Sequence, residues 1–283
     1  VREEAATLLA AALWGSSFVA IKYGLALTDP FLFLFLRFAV ALAMVLLAYP
    51  LLRRRPDYSL LRERVVLLLA LTNTLGYLFE YIGLTIISAT ESALLVNTGV
   101  IFVAAMSFYF LHEIFSVRKG AAVALGILGV SFLTTGGDMS NLHLGTIVGD
   151  AVSLLSAFMW ALMMILNKKA VGRYRLLDLL FALEVWMLLM LSPLLLFSPM
   201  IITGRVLLIS SATGIFYSVV PYLLWSYGLK KISATSSSII LLTEVFFAAL
   251  LSFFLLGERL SSIEFFGGLL ILFAIFLSSK ETS

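Results

Sequence analysis

The chain has no cysteine and only two histidines, and only 12% of its 283 residues are charged. Without cysteine there is neither a disulfide framework nor a thiolate metal site. His112 and His143 both fall in predicted loops, so nothing points to zinc or redox chemistry and no cofactor is expected. Also missing are a phosphate-binding glycine loop with its Lys-Ser/Thr, an HExxH pair and a basic domain suited to nucleic acid. Primary pumping by this chain alone and nucleic-acid binding are therefore not expected. The opening VREEAATLLAAALWG lacks a basic stretch followed by a small-residue cleavage site, so its apolar run reads as a true first span.

What is there is apolar: 62% of residues are hydrophobic and the mean hydropathy is +1.10, where soluble domains are roughly half apolar and a quarter charged. Runs of about 17 to 23 nearly uncharged residues follow one another from end to end, each near the length that crosses the hydrocarbon. Cuts at charge clusters and Pro/Gly breaks give ten spans, at 5–25, 31–52, 65–86, 89–111, 117–134, 145–166, 176–197, 206–229, 234–256 and 263–276. The expected fold is an all-α integral membrane protein of ten transmembrane helices.

Placing the few charges orients the chain. The termini and the even-numbered connections carry fifteen basic residues, including Arg53, Arg54, Arg55, Lys168, Lys169, Lys230 and Lys231, whereas the odd-numbered connections carry only Arg205 and Arg259. The positive-inside rule then puts both termini in the cytoplasm. Lys22 lies near the outer end of the first span, where it reads as an interfacial anchor.

The sequence also repeats itself. A shift of 145 positions aligns Tyr77 to Ser116 with Tyr222 to Ser261 without a gap, and close to half of those positions are identical. Matched polar and glycine positions include Tyr77/Tyr222, Gly83/Gly228, Ser88/Ser233, Thr98/Thr243 and Glu113/Glu258. At a shift of 146, Trp14 meets Trp160 and Lys22 meets Lys168. The expected halves are residues 1–138 and 139–283, each a five-helix unit. Five is odd, so the second unit enters the bilayer inverted. Two inverted halves enclosing a central site are a recurrent construction of secondary transporters, and a structural bundle grown by duplication is the plainer alternative. The turns at Ser88 and Ser233 supply residues able to cap the helices that follow.

A charge inside the hydrocarbon needs a partner, a wet cavity or a purpose. Arg37 and Glu80 each lie about six residues into their spans, roughly 9 to 10 Å below the outer surface at 1.5 Å per residue. They are placed to form a structural ion pair or to serve a substrate or gate. Glu244 sits near the middle of the ninth span, opposite Gly99 in the repeat, so the repeat itself does not require it. It is the first choice for a proton-coupling carboxyl, with Glu184 second; a hydrogen-bonded structural acid is the plainer reading. Trp14, Ser16, Ser17, Asn73, Tyr77, Tyr81, Asn97, Trp160, Tyr217, Tyr222, Trp225 and Thr243 gather near mid-span. Asn73, Tyr77 and Tyr81 share one helix face, as do Ser218, Tyr222 and Ser226. Such faces suit an apolar cavity with a few fixed polar groups, or plain helix packing. Pro221 frees a backbone carbonyl within the eighth span and is the expected hinge. Gly145 with Gly149, and Gly126 and Gly129 with Gly267 and Gly268, read as close-packing positions.

At ALWGSSFVAIKYG (12–24), FLRFAVA (35–41) and FFLLGERLSSIEFFGGLLIL (253–272) the sequence resembles the EamA family of the drug/metabolite transporter superfamily. Trp14-Gly15, Arg37 after Leu36, and Gly257-Glu258 match that family's pattern, with Glu113 the counterpart of Glu258 in the first half. The resemblance covers essentially the whole chain. It implies a central cavity lined mainly by spans 1–4 and 6–9, spans 5 and 10 at the side, and transport of amino acids or other small metabolites, often outward. Many members carry proline where this chain has Glu244, in a pattern like LLxPVFAALLS.

The expectation drawn from residues and resemblance together is an alternating-access carrier in the plasma membrane, an amino-acid or metabolite exporter working as a monomer and coupled to protons. Its substrate-binding set is Trp14, Ser17, Arg37, Asn73, Tyr77, Glu80, Tyr81, Asn97, Trp160, Tyr217, Tyr222, Trp225 and Thr243. The alternative carrier takes an organic cation, with Trp14, Trp160 and Trp225 supplying cation-π contacts. A non-transporting partner subunit is a further alternative. A membrane enzyme finds no nucleophile-base pair or metal cluster near Glu80, Glu184 or Glu244.

Overall fold

An apolar chain surrounded by lipid must satisfy its backbone groups internally, which favours helices. The computed structural model describes residues 2–87, 89–138, 147–251 and 261–279, and among them the regular structure is helical throughout. Thirteen α-helices follow in order: α1 Arg2–Leu25, α2 Pro30–Leu51, α3 Arg64–Ile86, α4 Ala89–Asn97, α5 Gly99–Leu111, α6 Val117–Thr135, α7 Ile147–Val171, α8 Leu176–Leu191, α9 Gly204–Gly214, α10 Val220–Leu229, α11 Ala234–Leu241, α12 Thr243–Leu251 and α13 Ser262–Ser279. Among the described residues six helical stretches are long and apolar enough to cross a membrane: Pro30–Leu51, Arg64–Ile86, Leu94–Leu111, Ile147–Val171, Leu176–Phe197 and Gly204–Leu229. Ala234–Leu250 and Ser262–Ser278 are shorter apolar helices. The caps at Ser88 and Gly257-Glu258, the glycine at 145 and His143 lie outside the described residues, as does the side chain of Lys22.

Local chemistry sets the helix ends. The Asp29 carboxylate accepts from the Phe31 and Leu32 N–H groups, and Pro30 opens α2 where a missing N–H costs nothing. The Ser233 hydroxyl accepts from the Ser236 N–H and caps α11, as the repeated turn predicts. His112 ends α5 in the left-handed region, with φ of 53°, and turns the chain so that Glu113 leaves the helix sideways.

Three of the expected spans are interrupted. α4 and α5 meet at a tight turn at Thr98, and α11 and α12 meet at one beside Thr243, the matched residue of the repeat. Each threonine hydroxyl donates three residues back, Thr98 to the Leu95 carbonyl at 2.6 Å and Thr243 to that of Ile240 at 2.7 Å. Such back-bonding competes with the regular ladder and bends a helix. Between α9 and α10 the chain widens into a π turn at Ile215–Val219, just ahead of Pro221.

The helices pack in matched pairs. α1 lies on α10, α11 and α12, while α7 lies on α3, α4 and α5; α2 lies on α9 and α3 on α8; α2 meets α8, and α6 meets α13. Exchanging each helix for its partner in the repeat maps this set of contacts onto itself. The α6–α13 contact is close because Gly129 and Gly267 face each other: a Cβ on either would stand 2.7 Å from the other's carbonyl oxygen.

One end of the bundle, where α1 and α11 begin and α5, α7 and α10 finish, is tied together across both halves. Glu113 Oε1 accepts from the Ala234 N–H at 2.6 Å, and its Oε2 accepts from the Thr235 N–H at 3.3 Å and hydroxyl at 3.0 Å. Ser107 and Thr235 share a 2.6 Å hydroxyl contact. Lys168 Nζ donates to the Leu229 and Ile232 carbonyls, both at 2.6 Å, and so closes the end of α10. Lys231 pairs with Glu3 at 2.8 Å. At the start of α8, buried Asp178 accepts from the Tyr49 hydroxyl at 2.7 Å and pairs with Arg175.

Candidate functional site

A cavity of about 440 Å³ lies among α1, α2, α3, α4, α5, α7, α8, α10, α11 and α12. Its wall gathers twelve of the residues singled out from sequence: Trp14, Ser17, Arg37, Asn73, Tyr77, Glu80, Asn97, Trp160, Glu184, Tyr222, Trp225 and Glu244. Towards the far end, opposite the tied one, the wall extends to Ile21, four residues from the end of α1, to Leu84 near the end of α3, and to Ser92 near the start of α4. Both halves contribute matched residues, Trp14 with Trp160 and Tyr77 with Tyr222.

Arg37 is almost wholly buried, at 1% exposure. No ion pair joins it to Glu80, contrary to one expectation from their depth. Its Nε donates to the Ser218 hydroxyl at 2.8 Å, its Nη1 to the Tyr81 hydroxyl at 3.0 Å and its Nη2 to the Tyr217 carbonyl at 3.0 Å. The guanidinium carbon also stands over the rings of Phe38 and Tyr77, at 5.6 and 5.2 Å. Neutral oxygens and aromatic faces hold this cation.

Pro221 explains why one of those acceptors is free. In a regular α-helix the carbonyl of residue 217 would accept from the N–H of residue 221, which proline lacks. The π turn relieves the clash, and the orphaned Tyr217 carbonyl takes both Arg37 and the Trp14 indole N–H, at 3.0 Å each. The proline break and the buried arginine are thus one device. Pro221 itself does not line the cavity. Tyr217 contributes its backbone rather than its ring, and Tyr81 supports Arg37 from behind at 1% exposure. Thr243 is buried in the α11–α12 turn and directs its hydroxyl to the backbone. These four stand around the cavity, not in its wall.

The indole N–H groups already have protein partners. Trp14 donates to Tyr217, Trp160 to Glu80 Oε2 at 3.1 Å, and Trp225 to the Ser237 hydroxyl at 3.0 Å. Their rings remain, linked edge to face through Trp14–Trp225 at 5.9 Å and Tyr77–Trp160 at 4.7 Å. The Tyr222 hydroxyl donates to Asn167 Oδ1 at 2.9 Å, and Asn167 donates to Ser226 at 3.1 Å. The carboxyls are less well served. Glu184 is 2% exposed, and its Oε2 is buried with no hydrogen-bond partner. Glu244 lines the cavity without a hydrogen bond to its carboxyl among the described residues.

Several wall residues carried no signal in the sequence. Met163, Met164, Val103 and Leu183 are apolar residues in an apolar chain, where helical periodicity has no polar face to stand against. Asn167, fully buried behind Tyr222, falls one residue beyond the span cut at 145–166, beside Lys168 and Lys169.

The EamA-like transporter family matches residues 2–135 and again residues 147–280. The chain is similar to an uncharacterized transporter of Archaeoglobus fulgidus, with 28% identity over 279 residues, 95% of this chain and 94% of that one. It is also similar to the uncharacterized transporter YoaV of Bacillus subtilis, with 24% identity and 94% and 93% coverage. A solved protein structure superposes with a TM-score of 0.85 over 99% of this chain and 97% of that one; at 16% identity the likeness shows the fold alone.

Proposed function

The chain belongs to the EamA-like transporter family, and we propose that it is a secondary carrier which moves small metabolites through the central cavity by alternating access. The observation that carries this reading is the cavity's position between matched residues of the two halves, Trp14 with Trp160 and Tyr77 with Tyr222. Inverted halves, 1–138 and 139–283, can exchange conformations and so present one site to either face. The tied end and the far reach of the wall fit a state open on the side opposite the termini, and the excess of basic residues at the terminal side supports a cytoplasmic place for that side. Net movement is outward, the working unit is the monomer, and Glu244 takes the coupling proton.

Amino acids suit this cavity, because Arg37 faces a carboxylate and the glutamates face an ammonium. A specific observation favours the organic-cation reading beside it: three glutamates in the wall against one guanidinium that is already hydrogen-bonded. Counterflow in proteoliposomes loaded with mixed amino acids and amines tests the carrier. Accumulation of labelled compounds is expected; no exchange of either class would sink it. For coupling, Glu244→Gln should abolish dependence on a proton gradient and leave counterflow intact, and gradient-driven uptake at the wild-type rate would contradict that role.

A further inference from the structure

Most donors of the cavity wall are engaged, whereas two of its three carboxyls, Glu184 and Glu244, carry no hydrogen bond among the described residues. All three indole N–H groups and three N–H groups of Arg37 end on protein oxygens. The Tyr222 hydroxyl is likewise directed away, to Asn167. Against them, Glu184 leaves a buried oxygen without a partner, and the Glu244 carboxyl is unbonded among the described residues. A buried acceptor without a donor is costly in a medium as dry as this one. Asp150 Oδ1 and Ser153 Oγ are buried without a partner as well, but of the three residues only Glu184 belongs to the cavity wall, where a ligand can complete it.

We propose that the cavity takes a ligand bearing one ammonium group, and that the Glu184 carboxylate is the acceptor that binds it. Charge balance in the wall points the same way. Arg37 offsets one of the three glutamates, a proton on Glu244 neutralises a second, and the ligand's ammonium neutralises the third. The loaded site is then neutral, the condition under which charges can be carried through hydrocarbon. The ring faces of Trp14, Trp160 and Tyr77, freed from hydrogen-bonding duty, suit the apolar body of an amine and the flank of its charged head. A carboxylate on the ligand is accommodated by the remaining N–H groups of Arg37 and is not required. The inference rests on the cavity being the carrier's substrate site.

Three probes of one shape separate the possibilities: 2-phenylethylamine, phenylalanine and 3-phenylpropionate, titrated calorimetrically into the purified protein in lipid nanodiscs. The amine and the amino acid should bind and the acid should not. Glu184→Gln should weaken the amine at least tenfold. Binding of 3-phenylpropionate as tight as that of the amine, failure of both ammonium probes, or unchanged amine affinity in Glu184→Gln would each overturn the inference. Should the variant not fold, the wild-type protein answers by itself. A hydrophobic carbodiimide should modify the cavity carboxyls, and peptide mapping reads the adduct at Glu184; 2-phenylethylamine should slow labelling there while 3-phenylpropionate does not, and equal protection by both contradicts the site. Amine binding without amine counterflow in proteoliposomes removes the carrier and leaves the ammonium site standing, whereas counterflow of 3-phenylpropionate alone does the reverse.

Discussion

The tied end of the bundle and the central cavity are built from the same residue types and treat them in opposite ways. At the tied end Glu113 accepts three hydrogen bonds from α11, and Asp178 is held by Tyr49 and Arg175. In the cavity Glu184 keeps an oxygen without a partner, although it is as buried as Asp178, each being 2% exposed. Burial alone therefore does not separate a structural carboxylate from a functional one. What differs is saturation: the carboxylates of the tied end have their lone pairs filled and hold helices together, whereas Glu184 in the cavity wall is left short, as the proposed ammonium site requires.

Substitutions at the two places should move stability and binding in opposite senses. The largest effect is expected from Glu113→Ala, which strips the start of α11 of its charged cap and leaves the Ala234 and Thr235 N–H groups without an acceptor, the Thr235 hydroxyl keeping only Ser107. By the usual worth of hydrogen bonds to a charged group it should cost about 3 kcal/mol. The thermal midpoint of the detergent-solubilised protein reads this, while amine affinity of the protein that stays folded should match wild type. A midpoint equal to wild type would put Glu113 outside the structural class. Next comes Tyr49→Phe, which removes one of the bonds to buried Asp178 and should cost about 1 to 2 kcal/mol, again with binding untouched.

Glu184→Gln should lie on the other side. An amide in place of an under-bonded acid leaves stability within about 1 kcal/mol of wild type, or raises it, because no native hydrogen bond to Oε2 is lost. Binding, not folding, should suffer. The smallest effect is expected from Lys231→Ala. Its partner Glu3 sits in the first turn of α1, and the hydrogen bond from Lys231 holds that carboxyl below its usual range. The pair's contribution is present above the ordinary carboxylate pKa and fades as the pH falls through the lowered one. Being solvent-screened, it should leave the midpoint at neutral pH unchanged within error; a clear loss would show that this contact helps close the end.

Much of this arrangement was legible in the chain. Spans such as Arg64–Ile86 and Val117–Thr135 begin and end within a residue or two of the cuts made at charges and glycines, because lipid punishes any other placement of charge. The repeat was written in polar identities, and Ser233 caps its helix as its position predicts. Pairing was not legible. Depth placed Arg37 level with Glu80, but what Arg37 touches depends on a carbonyl freed by Pro221 in another helix, and no local pattern reports a three-body contact of that kind. Equally hidden was the difference between Glu113 and Glu184, since saturation belongs to the packed neighbours and not to the residue.

One measurement bears most directly on that difference: exchange of labelled 2-phenylethylamine and phenylalanine by Glu184→Gln in proteoliposomes, taken together with its melting temperature. The account predicts that exchange of both compounds is lost while the variant melts at or above wild type. Wild-type exchange, or a loss of exchange matched by an equal loss of folded protein, would contradict it.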